Sequence, residues 1–168
     1  MTPRMKIKVF TTGGSVDKGY STRHSDFIVQ EPQVGDILED ANVNLEYDIE
    51  SLVMKDSLEL SEGDRELIAA RVEDDPCGRI LITHGTDTMA ETGRRLVSVK
   101  GKTIVLTGAI QPASFKRTDA HFNVGFAVAA LQILPEGIYL AMNGSIFEPG
   151  QVRKNNESDR FEEAPSED

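Results

Sequence analysis

Two stretches place hydroxyl groups beside glycine: Thr11-Thr12-Gly13-Gly14-Ser15 and His84-Gly85-Thr86-Asp87-Thr88. A double glycine ahead of a hydroxyl residue lets the backbone approach a ligand closely and present N–H groups to an anion or oxyanion. A serine or threonine held there becomes a nucleophile when a base or a charge activates it. Asp87 and, far along the chain, Lys154 are the ionisable groups that could serve these hydroxyls. A free lysine has a pKa near ~10.4, so only about one in 2,500 is neutral at pH 7. Lys154 thus enters either as a base or as a fixed positive charge.

Several rival chemistries lack their motifs. There is no G-x-x-x-x-G-K-[ST] phosphate loop, no G-x-G-x-x-G dinucleotide fingerprint and no G-x-S-x-G nucleophile elbow. Cys77 is the one cysteine, in a Pro76-Cys77-Gly78 turn, so it offers neither an intrachain disulfide nor a C-x-x-C metal pair. His24 and His121 have no ligand spacing, and no metal or other cofactor is expected. His84 reads as a hydrogen-bonded core histidine.

The elements that must position these residues follow from periodicity. Met5 to Thr11 reads as a strand, Val34 to Ala41 as a short helix, and Val43 to Ile49 alternates as a half-buried strand does. Ser61 with Asp64 three residues on resembles a capping box, opening a helix with Leu67, Ile68 and Val72 on one face. Arg79–Thr83 is a short buried strand, 86–99 reads as helical, and Thr103–Leu106 is another strand closed by Gly108. Asp119 is expected to cap a helix to about Leu134, apolar almost all round and therefore deeply buried, before a last strand over 137–142. Strands alternating with helices imply a single α/β domain, three-layered, with a mostly parallel sheet covered on both faces in the Rossmann-like or flavodoxin-like manner. In such sheets ligands bind beyond the carboxyl ends of the strands. Ser15, Asp56, Ser57, Thr86, Asp87, Ala109 and, further on, Lys154 all follow strands and gather on that rim.

The chain has 168 residues, enough for one domain and one core, with 39% hydrophobic and 27% charged residues. A net charge of -10 disfavours nucleic acid and acidic membrane as partners. The N-terminal apolar run is too short for a signal-peptide core or a membrane span, so a cytoplasmic protein is expected. Residues 155–168 hold six acids and one arginine and read as a solvated, partly flexible tail in which Phe161 alone could act as an anchor.

The pattern becomes specific when the blocks are taken together. Thr12-Gly13-Gly14-Ser15-Val16 and Ile82 to Thr92 (I-T-H-G-T-D-T-M-A-E-T) resemble the two signatures of the bacterial-type asparaginase/glutaminase family. Thr107-Gly108-Ala109 followed by Asp119 and Asn123 agrees, and Met142-Asn143 leading to Val152-Arg153-Lys154-Asn155 is similar to the segment bearing the family's catalytic lysine. The resemblance runs to about residue 160. It implies an N-terminal-type catalytic domain over 1–154, without the family's C-terminal domain.

The resemblance implies hydrolysis of L-asparagine to L-aspartate and ammonia by double displacement. Ser15, at a position where threonine is usual, would attack the amide carbon. Thr86, with Asp87 and Lys154, would activate the hydrolytic water. Backbone N–H groups near Thr86 and Ala109 would steady the oxyanion, and Gly85 would line the substrate site. Ser57 would hold the substrate's α-carboxylate beside Asp56, and Asp87 its α-ammonium. A mobile lid is expected between Tyr20 and Phe27, with either one at the position of the family's lid tyrosine. Alternatives are a glutaminase or related small-amide amidohydrolase, and a non-catalytic module that binds an amino acid.

Three departures bear on recognition. Leu58 stands where relatives often have a polar residue near the α-amino group, and Ala120 replaces a frequent glycine. The missing domain would lend, from a neighbouring subunit, an acid to the α-ammonium. Weaker and less selective substrate binding is therefore expected, together with at least a homodimer.

Overall fold

The computed structural model describes residues 4–165. Strand β1 (Lys6–Gly13) leads through a 3-10 turn at Ser15–Asp17 into an antiparallel hairpin, β2 (Lys18–Ser21) and β3 (Asp26–Val29). Helix α1 (Val34–Asp40) and strand β4 (Glu46–Lys55) follow. Next come α2 (Glu62–Asp74), β5 (Arg79–Thr83), α3 (Met89–Arg95), β6 (Thr103–Thr107), α4 (Ala120–Ile133) and β7 (Gly137–Met142). Strand β8 (Ser145–Phe147) turns back antiparallel on β7, and β9 (Val152–Asn155) pairs with β10 (Arg160–Glu163).

The main sheet has the order β4-β1-β5-β6-β7-β8, parallel except at β8. From β1 the chain moves outward to β4, then crosses back to β5, β6 and β7 on the other side. The winding therefore reverses between β1 and β5, where diverging connections open a crevice in sheets of this class. The two glycine–hydroxyl loops leave from these two strands.

Alternation along the buried strands builds one core on each face of the sheet. Ile7, Val9, Leu81, Val105 and Ala141 face α1 and α4; Phe10, Ile80, Ile82, Ile104, Leu106 and Leu140 face α2 and α3. The layered α/β expectation holds.

Several elements differ from the sequence reading. Val43 and Leu45 pack on the core from a loop, and β4 starts only at Glu46, whose N–H reaches the Met5 carbonyl at 2.9 Å. The alternation there reports side-chain burial before backbone pairing begins. Thr86–Thr88 lies outside any helix, and α3 covers only Met89–Arg95 rather than 86–99. The α2 capping box is present in full: Ser61 Oγ accepts the Asp64 N–H, and the Asp64 carboxylate accepts the Ser61 N–H.

Helix α4 is not buried all round, because Phe122 is 62% and Ile133 79% exposed. Its first turn is capped by Thr118 Oγ1, which accepts the Ala120 N–H, and not by the Asp119 side chain. Asp119 instead accepts the Ile110 and Gln111 N–H groups, both at 2.9 Å, and so shapes the loop after β6. Part of the expected flexible tail is a strand. Arg160–Glu163 pairs with β9, Phe161 is only 6% exposed in the α2/α3-side core, and its N–H reaches Asn143 Oδ1 at 2.9 Å. The anchor expected at Phe161 is what orders that segment.

Candidate active site

The first glycine–hydroxyl loop begins where β1 slips register against β4, between Thr11 and Gly13. Gly13 and Gly14 have φ of +94° and +84°, a region that disfavours side chains. Close packing forbids them as well. A Cβ on Gly13 would lie 2.5 Å from the Lys55 carbonyl oxygen, and one on Gly14 2.3 Å from Gly85 Cα. The Gly14 N–H donates to the Lys55 carbonyl at 3.0 Å, and Thr12 Oγ1 donates to the Thr83 carbonyl at 2.8 Å. The second loop is seated as tightly, since a Cβ on Gly85 would fall 2.6 Å from Ser57 Cβ. A Cβ on Gly108 would lie 2.2 Å from the His84 carbonyl oxygen. These glycines press together the loops that follow β1, β4, β5 and β6.

His84 is fully buried and supports the second loop from beneath. Its Nδ1 lies 2.7 Å from the Gly85 carbonyl and its Nε2 2.7 Å from Thr92 Oγ1. A carbonyl only accepts, so Nδ1 carries the proton and Nε2 accepts from Thr92. Burial pushes the His84 pKa down to about 4, against the Gly85 hydrogen bond and with help from the nearby Arg65 charge. It is a neutral core histidine, as its sequence context implied.

Lys154 reaches this loop from β9. Its Nζ donates to Thr86 Oγ1 at 2.9 Å and to Asp87 Oδ1 at 2.8 Å. Thr86 is 5% exposed, whereas Asp87 is exposed at the rim. The hydroxyl thus sits at a shielded point with a cation and a carboxylate on one side. Neither the Thr86 nor the Ala109 backbone N–H is taken up within the chain among the described residues.

Ser57 is 1% exposed, and its buried hydroxyl has no partner among the described residues. A group of that kind costs roughly 1–3 kcal/mol until a ligand or water engages it. Asp56 caps the Ser57–Glu59 turn by accepting the Leu58 N–H and pairs with Lys18 at 2.6 Å. Burial works to raise its pKa, but the Lys18 hydrogen bond, the Leu58 N–H and the charges of Lys18 and Lys154 outweigh it and hold the carboxyl below its ordinary value. Asp56 is thereby committed to Lys18.

Ser15 is half-buried at the start of the 3-10 turn, and its hydroxyl has no hydrogen bond among the described residues. The structure therefore brings Thr86, Asp87 and Lys154 into direct contact, and places Gly85, Ser57 and Ala109 in abutting loops. It does not join Ser15 to Lys154. Tyr20 and Phe27 are register partners across the β2–β3 hairpin with ring centroids 5.5 Å apart, and Phe27 meets Phe115 at 5.4 Å. Both candidate lid residues belong to one aromatic cluster. Leu58 is 72% exposed and offers the site no polar group.

Sequence reasoning missed Asp17, Lys18 and Phe115. Lys18 and Phe115 act through partners distant in sequence, on which local patterns are silent. For Asp17 there was a faint signal: an acid two residues after the loop hydroxyl, beside Val16.

No helix among the described residues is long and apolar enough to cross a membrane. The family "Asparaginase, N-terminal" matches residues 6–165. A glutaminase-asparaginase of Acinetobacter glutaminasificans is 33% identical over 129 residues, which are 73% of this chain and 38% of that one. L-asparaginase 2 of Escherichia coli (strain K12) is 32% identical over 174 residues, covering 91% of this chain and 47% of its own. Among solved structures, the thermostable L-asparaginase from Thermococcus kodakarensis superposes with a TM-score of 0.79 at 25% identity, over 95% of this chain and 51% of that one. The chain thus spans less than half the length of these two sequence relatives. With its sheet order, its glycine-packed loops and a family match from Lys6 onward, the chain belongs to the asparaginase family and corresponds to its N-terminal domain.

Proposed function

We propose that this chain hydrolyses L-asparagine to L-aspartate and ammonia through a covalent acyl-enzyme. The observation that carries the reading is Lys154 Nζ held at 2.9 Å from Thr86 Oγ1 and 2.8 Å from Asp87 Oδ1, on a loop that abuts the Ser15 loop. In the first step Ser15 Oγ bonds to the amide carbon and its proton passes to the leaving nitrogen. The C–N bond breaks, ammonia leaves and an ester remains. In the second step water, oriented by Thr86 with Lys154 beside it, adds to the ester and frees aspartate and Ser15. The free N–H groups of Thr86 and Ala109 suit the oxyanion formed in each step. The unpartnered Ser57 hydroxyl suits the substrate's α-carboxylate, and the exposed Asp87 carboxylate suits its α-ammonium.

Serine at position 15 lacks the β-methyl that stiffens χ1 in threonine, and Leu58 contributes no polar contact. Looser selectivity follows, and glutamine is a second substrate in this reading; one relative is itself called a glutaminase-asparaginase. A homodimer and a cytoplasmic location complete the proposal. Sedimentation showing only monomer at micromolar concentration would remove the dimer.

The deciding experiment measures ammonia release from asparagine, glutamine and N-acetyl-asparagine, with Ser15→Ala and Thr86→Ala as controls. Release that each substitution lowers by ~10²-fold or more is expected. Tight aspartate binding with no turnover on any amide would make the chain an amino-acid-binding module instead.

A further inference from the structure

Two residues beyond Ser15, the chain buries a carboxyl that the proposed reaction does not use. Asp17 is 2% exposed. Its N–H donates to the Gly14 carbonyl at 3.1 Å and closes the turn that carries Ser15. Its own carbonyl accepts the Gln30 N–H at 2.9 Å, where the chain leaves the β2–β3 hairpin. Its Oδ1 accepts the Gln33 N–H at 2.9 Å, at the residue preceding α1. Three segments thus meet on one residue: the Ser15 turn, the exit of the hairpin and the start of α1. The fourth polar atom, Oδ2, is buried without any partner among the described residues.

We propose that Asp17 is a positioning residue: its backbone ties the Ser15 turn to the root of the β2–β3 hairpin, and its buried carboxyl ties the same turn to the start of α1. The burial that isolates Oδ2 also pushes the Asp17 pKa up to about 7, against the Gln33 hydrogen bond. No cation among the described residues offsets the charged form. Lys18 on β2 is taken by Asp56 at 2.6 Å. Farther along the hairpin, Arg23, His24 and Asp26 are exposed. Glu31 ahead of α1, and Asp36, Glu39 and Asp40 on it, are acids turned to solvent. In the loop after β6, which meets the Ser15 turn through the Ala113 N–H to Val16 carbonyl bond, Lys116 and Arg117 are exposed and Asp119 holds backbone N–H groups.

Linkage sets the sign. Once the root opens and hydrates Asp17, the carboxyl returns toward its ordinary acidity and gives up a proton that the closed form keeps. Raising the pH from about 4 to about 7 therefore favours opening, by up to tenfold per pH unit, and the effect levels off above about 7 where the closed form has also ionised. Because the tether ends on the Ser15 turn, the same carboxyl sets how firmly the nucleophile is held.

The test is amide hydrogen exchange of the intact chain at Gln30 and Gln33 across this range, corrected for intrinsic rates, on wild type and Asp17→Asn. Asparagine keeps the acceptor for Gln33 and cannot ionise. Wild-type protection should fall with rising pH up to about 7 and then level off, while the variant's stays flat. Protection at both amides that ignores pH in wild type overturns the proposal, and this arm stands even if the variant fails to fold. The kinetic arm rests on the amidohydrolase reading: Asp17→Ala should lose about tenfold or more in kcat, and Asp17→Asn distinctly less. Equal losses would limit Asp17 to a structural role. Absence of any amidase activity would sink the functional reading while leaving the exchange result to judge the tether.

Discussion

At the scale of single residues, the contact between Lys154 and Thr86 is the most exposed to test. Removing the Thr86 hydroxyl with Thr86→Ala should lower kcat by ~10²–10⁴-fold, the usual span for a positioned acid–base group. Lys154→Met should do about as much, because it leaves Thr86 beside Asp87 without the intervening cation. Combining the two should cost little more than either alone, since residues acting as a unit are not additive. Steady-state kinetics on the three variants checks this, and fully additive losses would separate the two roles. Residue types at these positions were legible from the sequence because the loop motifs are long. The orphaned hydroxyl of Ser57 and the isolated carboxyl of Asp17 were not, for burial is a property of the packing around a residue and not of its neighbours in the chain.

At the scale of elements, the hairpin β9–β10 decides where Lys154 stands. Arg153 and Glu162 face each other across it, with an ion pair at 2.7 Å, and Phe161 pins it to the core. Phe161→Ala should therefore cost ~3 kcal/mol of stability and lower kcat at temperatures where the chain remains folded. Chemical denaturation and kinetics on the same preparation separate the two effects. The α2 cap offers a contrast: Ser61→Ala should cost ~1 kcal/mol and leave kcat unchanged, because the Ser61 hydroxyl bonds only to Asp64 within its own cap. The sequence announced the α2 cap because its two partners are three residues apart. It announced β10 poorly, because the strand's acids look like a solvated tail until Phe161 and Asn143 are brought together from 18 residues apart. It overextended the helix after β5, because Thr86–Thr88 continues the helical pattern but is spent on the site.

At the scale of the molecule, two buried groups pull stability in opposite directions as the pH falls. His84 stays neutral down to about 4, below the ordinary histidine value, so the stability it contributes is whole above about 6.5 and is lost as the pH falls toward 4. Asp17, raised to about 7, does the reverse: it costs stability above that pH and returns it on acidification toward 4. Wild type should therefore show a shallow stability profile between about pH 4 and 6.5. Asp17→Asn should be ~2–4 kcal/mol more stable than wild type near pH 7.5, with the gain shrinking toward pH 4, which leaves the His84 slope bare. Urea titrations across this range measure both curves, and parallel curves would contradict the assignment. The layered fold was legible in the strand–helix alternation, while the order that places β1 beside β5 rests on crossovers that periodicity does not encode.

The late position of Lys154 has a consequence in time. Ribosomes add about 5–20 residues per second, so Thr86 emerges several seconds before the lysine that completes its contact, and Phe161 later still. A nascent chain can hold its hydroxyl loops together and yet be chemically silent. Activity in a translation time course would then mark the docking of the β9–β10 hairpin, lagging behind the appearance of the parallel sheet itself.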